Sequence, residues 1–364
     1  MSDKIKSIVM TIVFVSIIIS MLIINVFSKD IEISQTERRT LAQFPELTLS
    51  NILDTTFMDN FEDYTMDQFA KREAFRTLKA YIELGLFRKN DINEIYMDNG
   101  ILIKQEYPLN EKSVINITEK INRIKDKYLD ESNNIYYSIV PDKNYYADNK
   151  YLKMDYDKLE NIMKNNLKDM KYIDIFDTLE LIDYYKTDTH WRQENLEKVA
   201  KKIATEMNFK DRINTPFTQK EITTFKGVYS GQYPIQLKEE KINVLTNDII
   251  ENSTVFNYET NKETKVYDLD KITANDKYDI FLSGAAPLLT IENKNAIEDK
   301  ELIVFRDSFG SSIIPLFIEA YSKITVVDTR YIATDFLKNF IEFENKDILF
   351  IYSTLVINNS NTLK

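Results

Sequence analysis

The chain contains no cysteine, a single histidine, a single tryptophan and only six glycines among 364 residues. Without cysteine there is no disulfide bond, no thiolate-ligated zinc and no cysteine nucleophile. With one histidine as well, a catalytic zinc ion would depend mostly on carboxylate ligands, which zinc sites rarely do. We therefore predict a protein that uses neither a metal ion nor another cofactor.

The formal net charge is −11 at pH 7. A negatively charged chain is repelled by phosphate backbones and by anionic lipid headgroups. This charge argues against nucleic acid or an anionic membrane surface as the main partner, and it selects no substrate.

An uncharged apolar run extends over residues 8–27 and has the length that spans the hydrocarbon core of a bilayer. Lys4 and Lys6 precede it, whereas Asp30 and Glu32 follow it, so the positive-inside rule keeps the N-terminus cytoplasmic. A cleaved signal peptide is the alternative. The run is long for that, and no small-x-small cleavage site follows it. We predict an uncleaved anchor, with everything after about residue 29 outside the cytoplasm.

The remaining sequence divides into two regions. Residues 29–95 comprise an extended stalk over 30–50 and a stretch over 56–86 in which aromatic and aliphatic residues recur at helical spacing. Residues 96–360 are expected to form an α/β domain, interrupted over 210–275 by an irregular or β-rich insertion.

Strands and helices alternate within the second region, which predicts a parallel sheet with helices on both faces. At the start of this region, Asn99-Gly100 predicts a β-hairpin. The predicted strands are 135–140, 172–175, 302–305, 324–327 and 348–352, and the predicted helices are 114–128, 155–167, 196–207, 311–321 and 333–343. Active sites in such sheets lie beyond the carboxyl ends of the strands.

The only histidine, His190, lies next to the only tryptophan, Trp191, and two residues after Asp188. Histidine is the side chain best suited to move a proton near neutral pH. Acid–base chemistry through an imidazole would therefore use His190. A purely structural histidine is the alternative, and this segment alone leaves both open.

Ser308 follows a predicted buried strand and precedes a predicted helix, so it is expected at the carboxyl edge of the sheet. A serine hydroxyl becomes a good nucleophile only when a neighbouring base removes its proton. His190 is the only imidazole available, and Asp188 is placed to orient it in a Ser-His-Asp triad. The alternative is that Asp307 and Ser308 simply cap the following helix.

Two of the scarce glycines lie near these residues. Gly310 follows Ser308 closely, and Gly284 follows an apolar, strand-like stretch. A backbone N–H at Gly284 would serve as an oxyanion donor if it faced the reacting carbonyl. An ordinary turn at the end of a strand is the alternative for Gly284.

Several segments together resemble the DHHW family, a branch of the SGNH-hydrolase-like proteins that is similar to the periplasmic alginate O-acetyltransferases. The resemblance runs from about residue 37 to residue 355. The segments that carry it are 38–45, Val140–Lys143, Thr187–Trp191, Pro287–Asn293, Asp307–Phe309 and Val327–Tyr331.

The resemblance implies a three-layer α/β/α sandwich with Ser308 as nucleophile, His190 as general base and Asp188 as the orienting carboxylate. Gly284 and the backbone of Ser308 are the expected oxyanion donors. The implied activity is serine-dependent transfer of an acyl group, such as acetyl, to an exported polysaccharide, with a membrane-bound O-acyltransferase as a partner. Hydrolysis is the same chemistry with water as acceptor.

Further residues are expected to border the site and contact the substrate: Arg330, Tyr331, Lys143 and Trp191. Arg330 follows the predicted strand 324–327 and therefore emerges at the same sheet edge. Its guanidinium would bind a sugar acid, or else form an ion pair within the protein.

The sequence departs from the DHHW pattern at two positions. Thr189 replaces the first histidine of the doublet for which the family is named, as in the alginate acetyltransferases. Ala285 stands where relatives often have an asparagine, whose side chain is a usual oxyanion donor, and losing one such donor costs about 10²–10³ in rate. The alternative function is therefore a catalytically impaired protein that binds or assembles polysaccharide.

Overall fold

A computed structural model describes residues 3–34, 36–235, 237–296 and 298–364. The chain forms two compact units. The first comprises Met1–Asn93 and Ser230–Gln236, and the second comprises Glu94–Tyr229 and Leu237–Lys364. The anchor, the stalk and the helical segment that the sequence analysis treated separately thus belong to one unit.

The first unit is mainly helical. Its elements are α1 (Asp3–Phe27), β1 (Ile33–Ser34), β2 (Arg39–Thr40), α2 (Leu49–Leu53), α3 (Thr56–Asp67) and α4 (Arg72–Tyr81), which continues as a π-helical turn over Ile82–Leu86. Helix α1 has 25 residues, none of them buried, and is long and apolar enough to cross a membrane.

The segment after α1 is not the extended stalk that the sequence predicts. It turns back on itself, because β1 and β2 pair in antiparallel register. The side-chain amide of Gln68 donates to the carbonyl groups of Ile31 and Ala42, at 2.9 Å in both cases, and Arg39 binds Asp67. Polar contacts over long sequence separations, which no local pattern reveals, hold this segment against α3.

The second unit contains the central sheet. Its regular elements in chain order are β3 (Ile95–Asp98), β4 (Ile101–Lys104), α5 (Glu111–Tyr128), β5 (Asn134–Val140), α6 (Lys143–Tyr146), α7 (Tyr156–Asn166), β6 (Lys171–Ile173), α8 (Glu197–Glu206), β7 (Thr218–Phe225), α9 (Val228–Gln232, at the chain crossing between the units), β8 (Glu240–Thr246), α10 (Asp248–Asn252), β9 (Thr254–Asn257), β10 (Lys262–Thr264), β11 (Leu288–Glu292), β12 (Glu301–Arg306), α11 (Gly310–Ile313), β13 (Lys323–Val327), β14 (Asp347–Ser353) and α12 (Thr354–Asn358). Short 3₁₀ helices cover Phe176–Thr178, Leu181–Asp183, Gln193–Asn195, Lys210–Arg212, Leu269–Thr273, Lys277–Ile280, Ile314–Ala320, Thr334–Asn339 and Ser360–Thr362.

The central sheet has eight strands in the order β10-β9-β11-β13-β12-β14-β5-β6. The five strands from β13 to β6 in this order are parallel, as the alternation predicts, whereas β11, β9 and β10 extend the sheet with antiparallel pairing. The region 210–275 is therefore only partly an insertion: β7 and β8 form a separate pair, but β9 and β10 belong to the central sheet.

Apolar side chains cover both faces of the sheet. Along β12, Leu302 and Val304 pack with α8, while Ile303 and Phe305 pack on the opposite face with α5 and α7. This alternation follows from the two-residue period of a strand. The result is the three-layer α/β/α sandwich that the family resemblance implies.

The structure also corrects three local predictions. Residues 311–321 form only one turn of α-helix, since Pro315 lacks the N–H that continued α-helical bonding requires, and a 3₁₀ helix follows. Residues 333–343 contain a short 3₁₀ helix instead of an α-helix. The stretch before Gly284 is a 3₁₀ turn over Lys277–Ile280 and not a strand.

The carboxyl ends of the parallel strands meet at one edge of the sheet. Three buried aspartates lie just beyond β5, β12 and β13, namely Asp142, Asp307 and Asp328. Buried carboxylates require hydrogen-bond or ionic partners, so polar contacts are expected to hold the loops at this edge.

Candidate active site

Asp307 fixes the turn that follows β12. One of its oxygens accepts from the Phe309 N–H at 3.0 Å, and the other accepts from the N–H and the hydroxyl of Ser353, at 2.7 and 2.6 Å. The turn is thereby attached to the end of the neighbouring strand β14. Asp307 thus holds the turn in place but does not cap α11, whose N-cap residue is Phe309 and which has no side-chain cap. The partly exposed Ser308 hydroxyl does not cap the helix either, so it is available for another partner.

The hydroxyl of Ser308 meets the only imidazole. Its Oγ lies 2.8 Å from His190 Nε2, within the 2.6–3.2 Å range expected for a nucleophile and its base, although 118 residues separate them in the chain. On the other side of the ring, His190 Nδ1 lies 2.6 Å from Asp188 Oδ1. The three side chains that the sequence analysis selected thus form one continuous hydrogen-bonded chain.

The carboxylate determines which ring nitrogen carries the proton. An ionised carboxylate only accepts hydrogen bonds, so Nδ1 donates to Asp188 and Nε2 presents its lone pair to the Ser308 hydroxyl. Burial alone would raise the pKa of Asp188, but its interaction with His190 and the N–H groups of Val228 and His190 hold that pKa well below the ordinary value. Asp188 therefore stays ionised throughout the neutral range.

A second buried carboxylate supports the loop that carries Asp188. Glu240 accepts from the N–H of Lys186 at 2.6 Å, and from the N–H and hydroxyl of Thr187 at 2.7 and 2.6 Å. Sequence reasoning missed Glu240, because its role depends on a contact across more than 50 residues with no local motif.

Gly227 allows the backbone to approach this loop closely. Its N–H donates to the Thr187 hydroxyl at 2.9 Å, and the next N–H, of Val228, donates to Asp188 Oδ2 at 2.9 Å. A side chain at position 227 would overlap the backbone and Cβ of Asp188. The scarcity of glycine in the sequence is a usable signal for close backbone approach at such positions.

An aromatic ring stacks on the imidazole of His190 and fixes the orientation of its plane. Tyr278 stacks on His190 with ring centres 3.8 Å apart and an angle of 7° between the planes. The Tyr278 hydroxyl donates to Ser312 Oγ at 2.7 Å, and Ser312 Oγ also accepts from Trp191 Nε1 at 2.8 Å. Trp191 is fully buried, so the prediction that it contacts the substrate is wrong, and its contacts are structural. Tyr278 lies in a segment without a motif, and the sequence offered no signal for it.

The two expected oxyanion donors differ in availability. The Ser308 N–H has no acceptor among the described residues, so it is free to donate to a ligand. The Gly284 N–H, in contrast, donates to the Phe281 carbonyl at 3.1 Å within a tight turn. The structure therefore corrects the prediction for Gly284, whose left-handed φ of +76° serves the turn. The neighbouring Ala285 is exposed and has no side-chain donor.

Two arginines share one buried carboxylate, Asp328, at the end of β13. Arg330 binds Asp328 through Nε and Nη2, at 2.9 and 2.6 Å, and Arg306 Nη1 lies 3.2 Å from the same carboxylate. Arg306 is fully buried and also donates to the carbonyl of Gly284 at 3.0 Å. Arg330 thus forms the ion pair that was one of its two expected roles. Its guanidinium also lies 5.4 Å from the ring centre of the exposed Tyr331.

Lys143 is buried, contrary to the expectation that it contacts the substrate. Its ammonium donates to the Leu102 carbonyl at 2.8 Å and lies 5.1 Å from the ring centre of Tyr229. Burial lowers the pKa of Lys143 to about 7, although the negative charges of Asp188 and Glu240 oppose the shift. The Lys143 side chain is therefore not accessible to a substrate. Within the described ranges, no cluster of three or more His, Asp or Glu side chains is arranged to hold a metal ion.

We predict that Gly227→Ala loosens the bond between Asp188 and His190, because the added methyl group displaces the Asp188 backbone. His190 is the only histidine, so a ¹⁵N-histidine-labelled protein gives one imidazole signal. The downfield Nδ1–H resonance should weaken or shift, and the melting temperature should fall. Gly85→Ala is the matched control, since no atom lies within 4 Å of the added group. A wild-type imidazole spectrum in Gly227→Ala would contradict the packing argument.

Lys143→Met is predicted to stabilise the folded state at and below neutral pH, by about 1–4 kcal/mol, because it removes a buried charge. The folded protein loses the Lys143 proton near pH 7, whereas the unfolded chain keeps it to about pH 10.5. Wild-type stability should therefore rise with pH across this window, and the advantage of the variant should shrink. Urea unfolding at several pH values measures this. Lys201→Met, at a well-exposed lysine, should change stability little; equal pH profiles for wild type and Lys143→Met would refute the prediction.

Comparison with known proteins identifies the fold. No protein-family model matches the sequence, and no curated protein matches it. Among solved structures, a DHHW family protein from Eubacterium siraeum DSM 15702 aligns over 74% of this chain and 92% of its own, with 22% identity and a TM-score of 0.59. Two structures of Bacillus cereus PatB1, one with a sulfonyl adduct, align over 74% of this chain and 96–97% of theirs, with 18–19% identity and a TM-score of 0.55. The aligned 74% of this chain therefore has the fold of a DHHW family protein, as the sequence motifs predict.

Proposed function

We propose that the protein is a serine-dependent O-acyltransferase that transfers acetyl or a similar acyl group to an exported polysaccharide. The observation that carries this proposal is the hydrogen-bonded chain from Asp188 through His190 to Ser308. Nucleophilic acyl transfer needs a serine hydroxyl, an imidazole whose Nε2 lone pair points to that hydroxyl, and a carboxylate that binds the other ring nitrogen.

In the first half-reaction, Ser308 Oγ attacks the carbonyl carbon of the acyl donor while its proton moves to His190 Nε2. Asp188 stabilises the imidazolium that forms, because its charge lies 2.6 Å from Nδ1. The free Ser308 N–H donates to the oxyanion. When the tetrahedral intermediate collapses, the bond to the leaving group breaks, the leaving group takes the Nε2 proton, and the acyl group remains on Ser308.

In the second half-reaction, a sugar hydroxyl gives its proton to Nε2 and attacks the acyl-serine. Collapse of the second intermediate returns the proton from Nε2 to Ser308 Oγ and releases the O-acylated sugar. Water in place of the sugar hydroxyl gives hydrolysis, so an esterase has the same machinery. The difference lies in acceptor binding.

Arg330 and Tyr331 are the acceptor-binding residues in this proposal. Both follow β13 at the carboxyl edge of the sheet, and Tyr331 exposes about half of its surface. A tyrosine ring presents an apolar face together with a polar hydroxyl, which suits a sugar. Asp328 uses Nε and Nη2 of Arg330, so Nη1 is the nitrogen left to bind an acidic sugar.

Membrane anchoring completes the proposal. Helix α1 would act as an uncleaved signal-anchor with its N-terminus in the cytoplasm, which places the second unit outside the cytoplasm, where exported polysaccharide is found. A membrane-bound O-acyltransferase would supply the acyl group across the bilayer. The proposal requires no nucleic acid and no cofactor.

A catalytically impaired polysaccharide-binding protein is the second candidate. A specific observation favours it: Ala285 lacks a side-chain donor and the Gly284 N–H is engaged, so the Ser308 N–H is the remaining one of the expected donors. Such a protein would retain polysaccharide binding through Arg330 and Tyr331 but release acetyl no faster than a Ser308→Ala variant.

The triad is tested by acetyl release from p-nitrophenyl acetate with the full-length protein in detergent. Ser308→Ala and His190→Gln should reduce the rate to background. Asp188→Asn should reduce it by about 10²–10⁴-fold, because the ring loses its orienting charge but keeps its base.

A sulfonyl fluoride gives an independent readout, because it should label Ser308 in the wild type and fail to label the His190→Gln variant. PatB1, which has the same fold, has been crystallised with a sulfonyl adduct. Unchanged circular dichroism is the control for folding. Wild-type acetyl release by all three variants would exclude the enzyme and leave the binding protein.

Arg330→Lys should weaken transfer to an acidic oligosaccharide, raising its KM about tenfold, which corresponds to about 1.4 kcal/mol. A lysine cannot bind Asp328 in bidentate fashion and a sugar carboxylate at the same time. Transfer to a neutral oligosaccharide and release from p-nitrophenyl acetate should change little. Unchanged KM values for both sugars would show that Arg330 does not bind the acceptor and serves only in its ion pair with Asp328.

A further inference from the structure

Helix α4 in the first unit has its polar and apolar sides reversed relative to a helix on the surface of a soluble protein. Such helices normally turn their apolar stripe inward and their charged side to water. In α4 and its π-helical continuation, the apolar stripe formed by Phe75, Leu78, Ile82 and Leu86 is exposed, by 38–74%. The residues recur at intervals of three and four, so they follow one side of the helix.

The two arginines of α4 lie on its inner side. Arg72 and Arg76 expose less than a fifth of their side chains, and both bind Glu37, at 2.7 and 3.0 Å. Ala80, which shares this side of the helix, is buried. The network that orients α4 is therefore ionic, and it forces the apolar stripe outward.

The start of α4 is attached to the end of the apolar helix α1. The Ala70 N–H, two residues before α4, donates to Asn25 Oδ1 in the last turn of α1 at 2.6 Å. Close by, the Ile31 N–H donates to Gln68 Oε1 at 2.9 Å. If α1 crosses a bilayer, these contacts place the first residues of α4 at the level of the lipid headgroups.

Two exposed lysines adjoin the stripe. Lys71 and Lys79 are each four residues from Phe75, so they lie one turn away on the same side of the helix. Lysines flanking an apolar stripe extend their ammonium groups to headgroup phosphates while their aliphatic stems remain in the apolar region. This arrangement favours a lipid surface over a protein partner.

We propose that the apolar stripe of α4 is inserted in the interface of the same bilayer that α1 spans, so that the first unit lies on the membrane as well as crossing it. The proposal depends on the membrane anchoring proposed above for α1 and is independent of the chemistry at Ser308. Insertion is driven by the apolar area, so the acidity of the whole chain does not oppose it at a zwitterionic surface.

The absence of cysteine makes a direct test possible. Single-cysteine variants of the full-length protein are labelled with an environment-sensitive fluorophore and reconstituted in phosphatidylcholine vesicles, with or without lipids that carry nitroxides on their acyl chains. In Leu78→Cys and Leu86→Cys, the lipid nitroxides should quench the label strongly and aqueous iodide weakly. Melting curves confirm that the labelled proteins are folded.

Glu73→Cys is the matched control, since its side chain is about half exposed and lies roughly 140° around the helix from Leu78. Its label should be quenched several-fold less by the lipid nitroxides and more by iodide. Val15→Cys, in the middle of α1, reports the anchor separately.

Each other outcome overturns the proposal in a distinct way. Quenching by iodide at positions 78 and 86 shows that the stripe faces water. Protection from both quenchers shows that a protein covers it. If the lipid nitroxides quench the label at position 15 but not those at positions 78 and 86, the anchor is supported and only the interfacial position of α4 is rejected. If they do not quench the label at position 15, the anchor on which the proposal depends is rejected.

Discussion

The site depends on one buried negative charge, the carboxylate of Asp188. It has no contact with solvent, so its hydrogen bonds must compensate for the lost hydration. The His190 ring, the His190 N–H and the Val228 N–H provide them, and the Val228 contact requires the close approach that Gly227 permits. The orientation of the imidazole, and therefore the direction in which it meets Ser308, follows from satisfying this charge.

Other buried carboxylates at the edge of the sheet are compensated by hydrogen bonds or ion pairs in the same way. Asp307, Asp328 and Asp142 are buried beyond β12, β13 and β5. Asp328 binds two arginines, whereas Asp307 and Asp142 accept from backbone N–H and hydroxyl groups. Because these contacts connect adjacent strand ends, the loops that carry the site are attached to the rigid sheet. A nucleophile and its base from distant parts of the chain are thereby held at hydrogen-bond distance.

The two units place their polar and apolar groups in opposite ways. In the second unit, apolar side chains fill both faces of the sheet, and three buried aspartates lie at its carboxyl edge. In the first unit, ion pairs among Arg72, Arg76 and Glu37 lie inside, and a row of apolar side chains faces outward. An outward apolar row of this kind is the feature on which the proposed contact of α4 with a bilayer depends.

Local patterns in the sequence were sufficient for much of this structure. The two-residue period of strands such as β12 and β14, the helical period of α5 and α8, and the Asn99-Gly100 turn depend on neighbouring residues, so they could be read from the chain. The apolar run of α1 was likewise evident. The single histidine identified the imidazole by elimination, and the position of Ser308 after a strand placed it at the correct edge.

The tertiary structure alone decided what depends on contacts between distant segments. The stacking of Tyr278 on His190, the support of Thr187 by Glu240 and the burial of Lys143 and Trp191 have no local signature. The engagement of the Gly284 N–H also depends on how its turn closes. The sequence shows that α4 is amphipathic, but which side faces outward is determined by the ionic partner, Glu37, that the fold brings to it. Periodicity is a property of neighbouring residues, whereas burial and hydrogen-bond partners are properties of the packed chain.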